Sequence, residues 1–127
     1  METILLAEGT REIREMVRRW LEGAGYTVLV AKSGAEALQI TKKRKQPIRL
    51  LLTDVFMPGI SGPDLATQLT AHHKNFRVLY VSGNPEHPMV REDILKPGFS
   101  FLGKPFTSKK LLGKVREVLY PPKSGSL

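Results

Sequence analysis

Short unbroken apolar runs alternate along this chain with stretches in which apolar residues recur every three or four positions. The runs are Ile4-Leu5-Leu6-Ala7, Val28-Leu29-Val30, Leu50-Leu51-Leu52, Val78-Leu79-Tyr80-Val81 and Phe99-Ser100-Phe101-Leu102-Gly103. Strands covered on both faces read this way. A first helix follows Thr10, its N-cap, with Ile13, Met16, Val17, Trp20, Leu21 and Ala24 as one apolar stripe and Gly25 as its terminator. Ser33 and Glu36 have capping-box spacing before a second helix that turns Ala37, Leu38 and Ile40 inward. Ser61 caps a third, with Pro63 and Asp64 in its first turn and Leu65, Ala66 and Leu69 facing the core. A short fourth helix is predicted from Met89 to Leu95; its stripe is thin, so its packing is the least secure of the five. Thr107 caps the last, which buries Leu111, Leu112, Val115, Val118 and Leu119. Five βα units predict an α/β fold, a doubly wound five-stranded parallel sheet with right-handed crossovers in strand order 2-1-3-4-5. The predicted domain is 3–120, with 121–127 (Pro121-Pro122-Lys123-Ser124-Gly125-Ser126-Leu127) a linker or tail.

Composition narrows the options without deciding among them. The chain has 127 residues, 41% hydrophobic and 25% charged, enough for one domain with a real core. No apolar run approaches the roughly 20 residues of a membrane span, and no signal peptide is recognisable. The absence of cysteine excludes thiolate metal sites and fits a reducing, cytoplasmic compartment. The net charge of +8 permits acidic partners, but a solvated basic surface accounts for it most simply. Lys42-Lys43-Arg44-Lys45 sits at a predicted helix C-terminus, where cations offset the macrodipole. Without interleaved aromatic residues or a recognition helix, that reading is favoured over a nucleic-acid patch. His72 and His73 are adjacent; on a helix they point about 100° apart and do not share a metal.

In open α/β sheets, chemistry gathers at the carboxyl ends of the strands. Of the three aspartates, Asp54, Asp64 and Asp93, only Asp54 follows a strand-like run. A bare carboxylate there serves as a metal ligand or as a nucleophile toward phosphorus. In the predicted strand order Glu8, Asp54, Ser82 and Lys104 end neighbouring strands and converge. Two carboxylates, a hydroxyl and an ammonium on one rim suit a divalent cation and a phosphoryl group on Asp54.

From Thr3 to about Leu119 the chain resembles the receiver domain of two-component response regulators, which has the flavodoxin-like fold. The resemblance is carried by Leu-Leu-Thr-Asp-Val-Phe-Met-Pro-Gly-Ile-Ser-Gly at 51–62, Val-Ser-Gly at 81–83 and Lys-Pro-Phe at 104–106. It implies a signalling module, not a turnover enzyme, in which Asp54 takes a phosphoryl group from a sensor histidine kinase or a histidine phosphotransfer domain. It implies Mg²⁺ held by Asp54, by an acid after the first strand (here Glu8) and by the backbone carbonyl of Phe56. Ser82 would bond the phosphoryl oxygens, Phe101 would rotate inward, and Lys104 would pair with the phosphate, with a cis peptide between Lys104 and Pro105. The switched face would combine the fourth helix, the fifth strand and the last helix. The wording of the C-terminal third is most similar to receivers fused to hybrid histidine kinases.

One departure changes this picture. The family usually has two adjacent acids after the first strand, and this chain has Glu8 followed by Gly9. With one carboxylate fewer, the site is one charge negative without a divalent cation and one charge positive with it, so Mg²⁺ binding is expected to be weak. That favours an alternative, a pseudo-receiver that docks partners without phosphorylation. A haloacid-dehalogenase-type phosphatase is set aside, because it needs a second aspartate two residues after the nucleophile, where Phe56 stands.

Overall fold

The computed structural model of the chain describes residues 2–44, 47–73, 76–84, 87, 90 and 100–121. In chain order the elements are β1 (Thr3–Ala7), α1 (Arg11–Gly23), β2 (Thr27–Ala31), α2 (Gly34–Lys43), β3 (Leu50–Asp54), α3 (Gly62–Thr70), β4 (Arg77–Ser82), β5 (Ser100–Gly103) and α4 (Ser108–Leu119). The five strands form one sheet in the order β2-β1-β3-β4-β5, and every pairing is parallel. The α4 described here is the last of the five helices predicted from sequence. The predicted fourth, from Met89 to Leu95, lies outside the described residues apart from Val90.

Alternation along the central strands divides the core into two layers. Ile4 and Leu6 of β1 and Leu50 and Leu52 of β3 join Val17 and Leu21 of α1 and Leu111 and Val115 of α4. Leu5 and Leu51 point the other way, onto Ala37 of α2 and Leu65, Ala66 and Leu69 of α3. Successive strand side chains face opposite sides, so an uninterrupted apolar run is what a strand between two helical layers requires. All five residues of β1 and the first four of β3 are buried.

The helix ends show which local readings hold. Ser33 Oγ accepts the Glu36 N–H at 3.1 Å and caps α2, while Glu36 Oε1 accepts from the Lys32 N–H at 3.2 Å, one residue before the position a strict capping box would use. Ser61 caps α3 through the Asp64 N–H, and Thr107 caps α4 through the Lys110 N–H. Thr10 occupies the N-cap of α1 with extended backbone, but its side chain makes no capping bond; its own N–H instead donates to Glu8. The stripe predicted for α1 is also too wide. Met16 is 37% exposed and Ala24 is exposed, because Val17 and Leu21 alone reach the centre of the layer. Gly25, with φ of 99°, ends α1 in the left-handed region as its position suggested. His72 and His73 follow α3 and are not on it, with the His73 ring tilted against Phe76.

Candidate functional site

Strand register sets the spacing of the two carboxylates. Ala7 of β1 pairs with Thr53 of β3, so Glu8 and Asp54 emerge side by side on adjacent strands. From the far edge Lys104 follows β5, and its N–H donates to the Ser82 carbonyl at 2.8 Å. Lys104 Nζ then lies 2.9 Å from Glu8 Oε1 and 2.9 Å from Asp54 Oδ2, bridging both acids. The peptide bond between Lys104 and Pro105 is cis, as the resemblance implied.

Each acid has a second partner from the main chain. Glu8 Oε2 accepts the Thr10 N–H at 3.0 Å, so both of its oxygens are engaged; Glu8 itself is only 2% exposed. Asp54 Oδ1 accepts a longer bond, 3.3 Å, from the Phe56 N–H. Its side chain is half-buried, leaving Asp54 the more approachable of the two acids. Burial alone would lower the Lys104 pKa, but the hydrogen bonds and charges of Glu8 and Asp54 outweigh it and hold the ammonium above its ordinary range.

Ser82 closes β4 and is buried, as the rim reading placed it. Its hydroxyl accepts the Asn84 N–H at 3.1 Å, and among the described residues it makes no hydrogen bond to Asp54 or Lys104. Phe101 sits in β5 opposite Tyr80, half-buried against the layer that holds α2 and α3. Glu8, Asp54 and Lys104 are therefore in direct contact, whereas Ser82 ends the strand beside Asp54 and Phe101 packs into the α2/α3 layer. The Phe56 ring is 37% exposed and meets His87 edge-on, with centroids 4.6 Å apart.

Two features of the site escaped the sequence reading. Arg14 Nη1 donates to the Glu8 carbonyl at 2.8 Å and fixes the turn after β1 from one helical turn away. Gly62 packs so tightly under the site that a Cβ there would collide with the Asp54 carbonyl oxygen, while its N–H donates to the Val55 carbonyl at 2.9 Å. Glycine in the 51–62 motif was the only available signal, and spacing alone does not say which glycine is sterically required.

Among the described residues no three His, Cys, Asp or Glu side chains group as a metal cage. The donor set nonetheless suits Mg²⁺ in kind, since that cation commonly takes one or two carboxylates and keeps several waters. Asp54 and Glu8 supply hard oxygens, with Glu8 already committed at both atoms. Gly9 stands in the place of a second acid: among the described residues, a Cβ there would find only the Lys32 carbonyl within 4 Å, at 3.9 Å.

Known proteins share this arrangement of chain and fold. The chain is 37% identical over 117 residues to the sensor kinase CckA of Brucella abortus (strain 2308), covering 92% of this chain but only 12% of that protein. It is 30% identical over 125 residues to the response regulator receiver protein CpdR of the same organism, covering 94% of this chain and 98% of that one. Among solved structures it resembles the receiver domain from the hybrid histidine kinase CckA, with a TM-score of 0.76 and 34% identity over 91% of this chain and 96% of the other. It also resembles the chemotaxis protein CheY4 of Vibrio cholerae, with a TM-score of 0.80 and 28% identity over 94% and 99%. The family profile for the response regulator receiver domain matches residues 4–116, from the first strand into the last helix, and the chain belongs to that family.

Proposed function

We propose that this chain accepts a phosphoryl group on Asp54 from a phosphohistidine of a sensor histidine kinase or histidine phosphotransfer domain. The observation that carries this reading is the Lys104 ammonium, 2.9 Å from Asp54 Oδ2 at the open rim of the sheet. An Asp54 oxygen attacks phosphorus in line with the phosphohistidine nitrogen. As the new O–P bond forms, the P–N bond breaks, and its electron pair stays on the imidazole, which takes up a proton. Lys104 supplies fixed positive charge to the transferring oxygens. Members of this family generally bind Mg²⁺; here Asp54, the Phe56 carbonyl and Glu8 would hold it, and when bound it supplies further neutralisation of the phosphoryl charge. Ser82 accepts a bond from Asn84 yet keeps its own proton to donate to a phosphoryl oxygen. That bond would draw the chain after β4 inward and let Phe101 follow, shifting the population of the face made by β5, α4 and the predicted fourth helix.

A second reading has its own support. Glu8 is engaged at both oxygens and Gly9 offers no carboxylate, which favours a docking module that works unphosphorylated. Incubation with a phosphorylated histidine phosphotransfer protein over a range of Mg²⁺ concentrations decides between them. Labelling that disappears in Asp54→Asn supports transfer; no labelling at any Mg²⁺ concentration, with no response to beryllofluoride, leaves the docking reading. A Ser82→Ala chain should still be labelled but lose the accompanying amide shifts on the β5–α4 face.

A further inference from the structure

Away from the rim, α2 and α3 leave between their C-terminal ends an open groove of about 550 Å³. Leu38, Thr41 and Leu69 form its floor, and Lys42, His72 and His73 stand at its edges. Among the described residues, none that lines it is acidic. The acids nearest in sequence, Glu36 and Asp64, lie in the first turns of α2 and α3, at their opposite ends. Lys42 and Lys43 close α2 on one side of the groove, and His72 and His73 follow α3 on the other.

The macrodipole accounts for part of this charge but not all of it. A helix C-terminus carries about half a negative charge, which a single cation offsets. The last turn of α2 holds both Lys42 and Lys43, both exposed, and neither has an ion-pair partner among the described residues. α3 has no basic residue in its last turn; His72 and His73 follow its C-cap, Ala71, at the edge of the groove. A largely apolar floor beside the exposed Lys42 and Lys43 fits a helix that presents apolar residues downward and carboxylates outward.

We infer that the α2–α3 groove is a docking site for an acidic amphipathic helix of a partner protein. Leucine-sized side chains of that helix cover Leu38 and Leu69, while its glutamates and aspartates pair with Lys42 and Lys43. The site is remote from Asp54 and does not depend on phosphoryl transfer, so its failure and that of the phosphoacceptor reading are separable.

The test is titration of the ¹⁵N-labelled chain with a synthetic glutamate-rich peptide of about 15 residues, long enough to form a helix and carrying leucines at i, i+3 and i+4 spacing. Amide shifts should concentrate at Leu38, Thr41, Lys42, Thr67 and His72 and weaken with added salt. Affinity should fall about tenfold in K42E/K43E and about threefold in K42Q/K43Q. The neutral pair guards against loss from misfolding, and unchanged melting of both variants completes that control. Several outcomes overturn the inference: no binding, shifts centred on Lys109 and Lys110 of α4, undiminished affinity in both variants, or equal binding when lysine replaces glutamate in the peptide. Tighter binding of a single-stranded oligonucleotide at the same amides would assign the groove to nucleic acid and overturn it equally.

Discussion

At the scale of single residues, Lys104 is the most consequential side chain. It compensates two carboxylates, one of them almost wholly buried. Lys104→Met should lower stability by about 3 kcal/mol, because it leaves Glu8 charged without its cation. Adding Glu8→Gln should restore much of that loss, since the uncompensated charge goes with it; urea denaturation of the two single variants and the double variant checks this. Gly9 is the opposite case, a residue whose lack of a side chain matters. Its φ is not among the positive values, and among the described residues a Cβ there meets nothing closer than 3.9 Å, so Gly9→Asp should fold normally. One more carboxylate facing a divalent cation should tighten Mg²⁺ binding about tenfold. Trp20 fluorescence against added Mg²⁺ reads this without any need for phosphoryl transfer, and unchanged affinity would mean that position 9 does not face the cation.

At the scale of elements, legibility followed burial. Strands between two helical layers must be apolar on both faces, so β1 and β3 stood out as uninterrupted runs, and the polar residues at their ends located the rim. Serine or threonine caps announced α2, α3 and α4 for an equally local reason. The errors came where a specific contact, not periodicity, decides. Met16 has helical spacing but looks out over a groove beside Pro105 and Phe106, which periodicity does not reveal. Thr10 occupies the N-cap as expected, yet the nearby Glu8 carboxylate captures its N–H and its hydroxyl makes no capping bond. Gly62 depends on how closely α3 approaches β3. Gly62→Ala should therefore cost about 2 kcal/mol by urea denaturation and displace the Asp54 amide resonance, whereas a helix-interior alanine would ordinarily be favourable.

At the scale of the whole molecule, two groups on the β4–β5 side govern how stability responds to alkali. Burial pushes the Tyr80 hydroxyl up to about 12, and its carboxylate partners raise Lys104. The unfolded chain releases both protons first, near pH 10. Stability should thus be full below that value and fall as pH rises through the higher folded values, a trend that urea midpoints between neutral and strongly alkaline pH would show. Tyr80→Phe and Lys104→Met should each flatten the decline. The site itself draws on nearly the whole fold, since the bridge from Lys104 reaches 50 positions back to Asp54 and 96 back to Glu8. A ribosome therefore releases Asp54 well before Lys104, the cation that bridges it to Glu8. Until the fifth strand is made and seated, a growing polypeptide offers a kinase only a naked acid, so on the proposed mechanism the signal is withheld from unfinished copies.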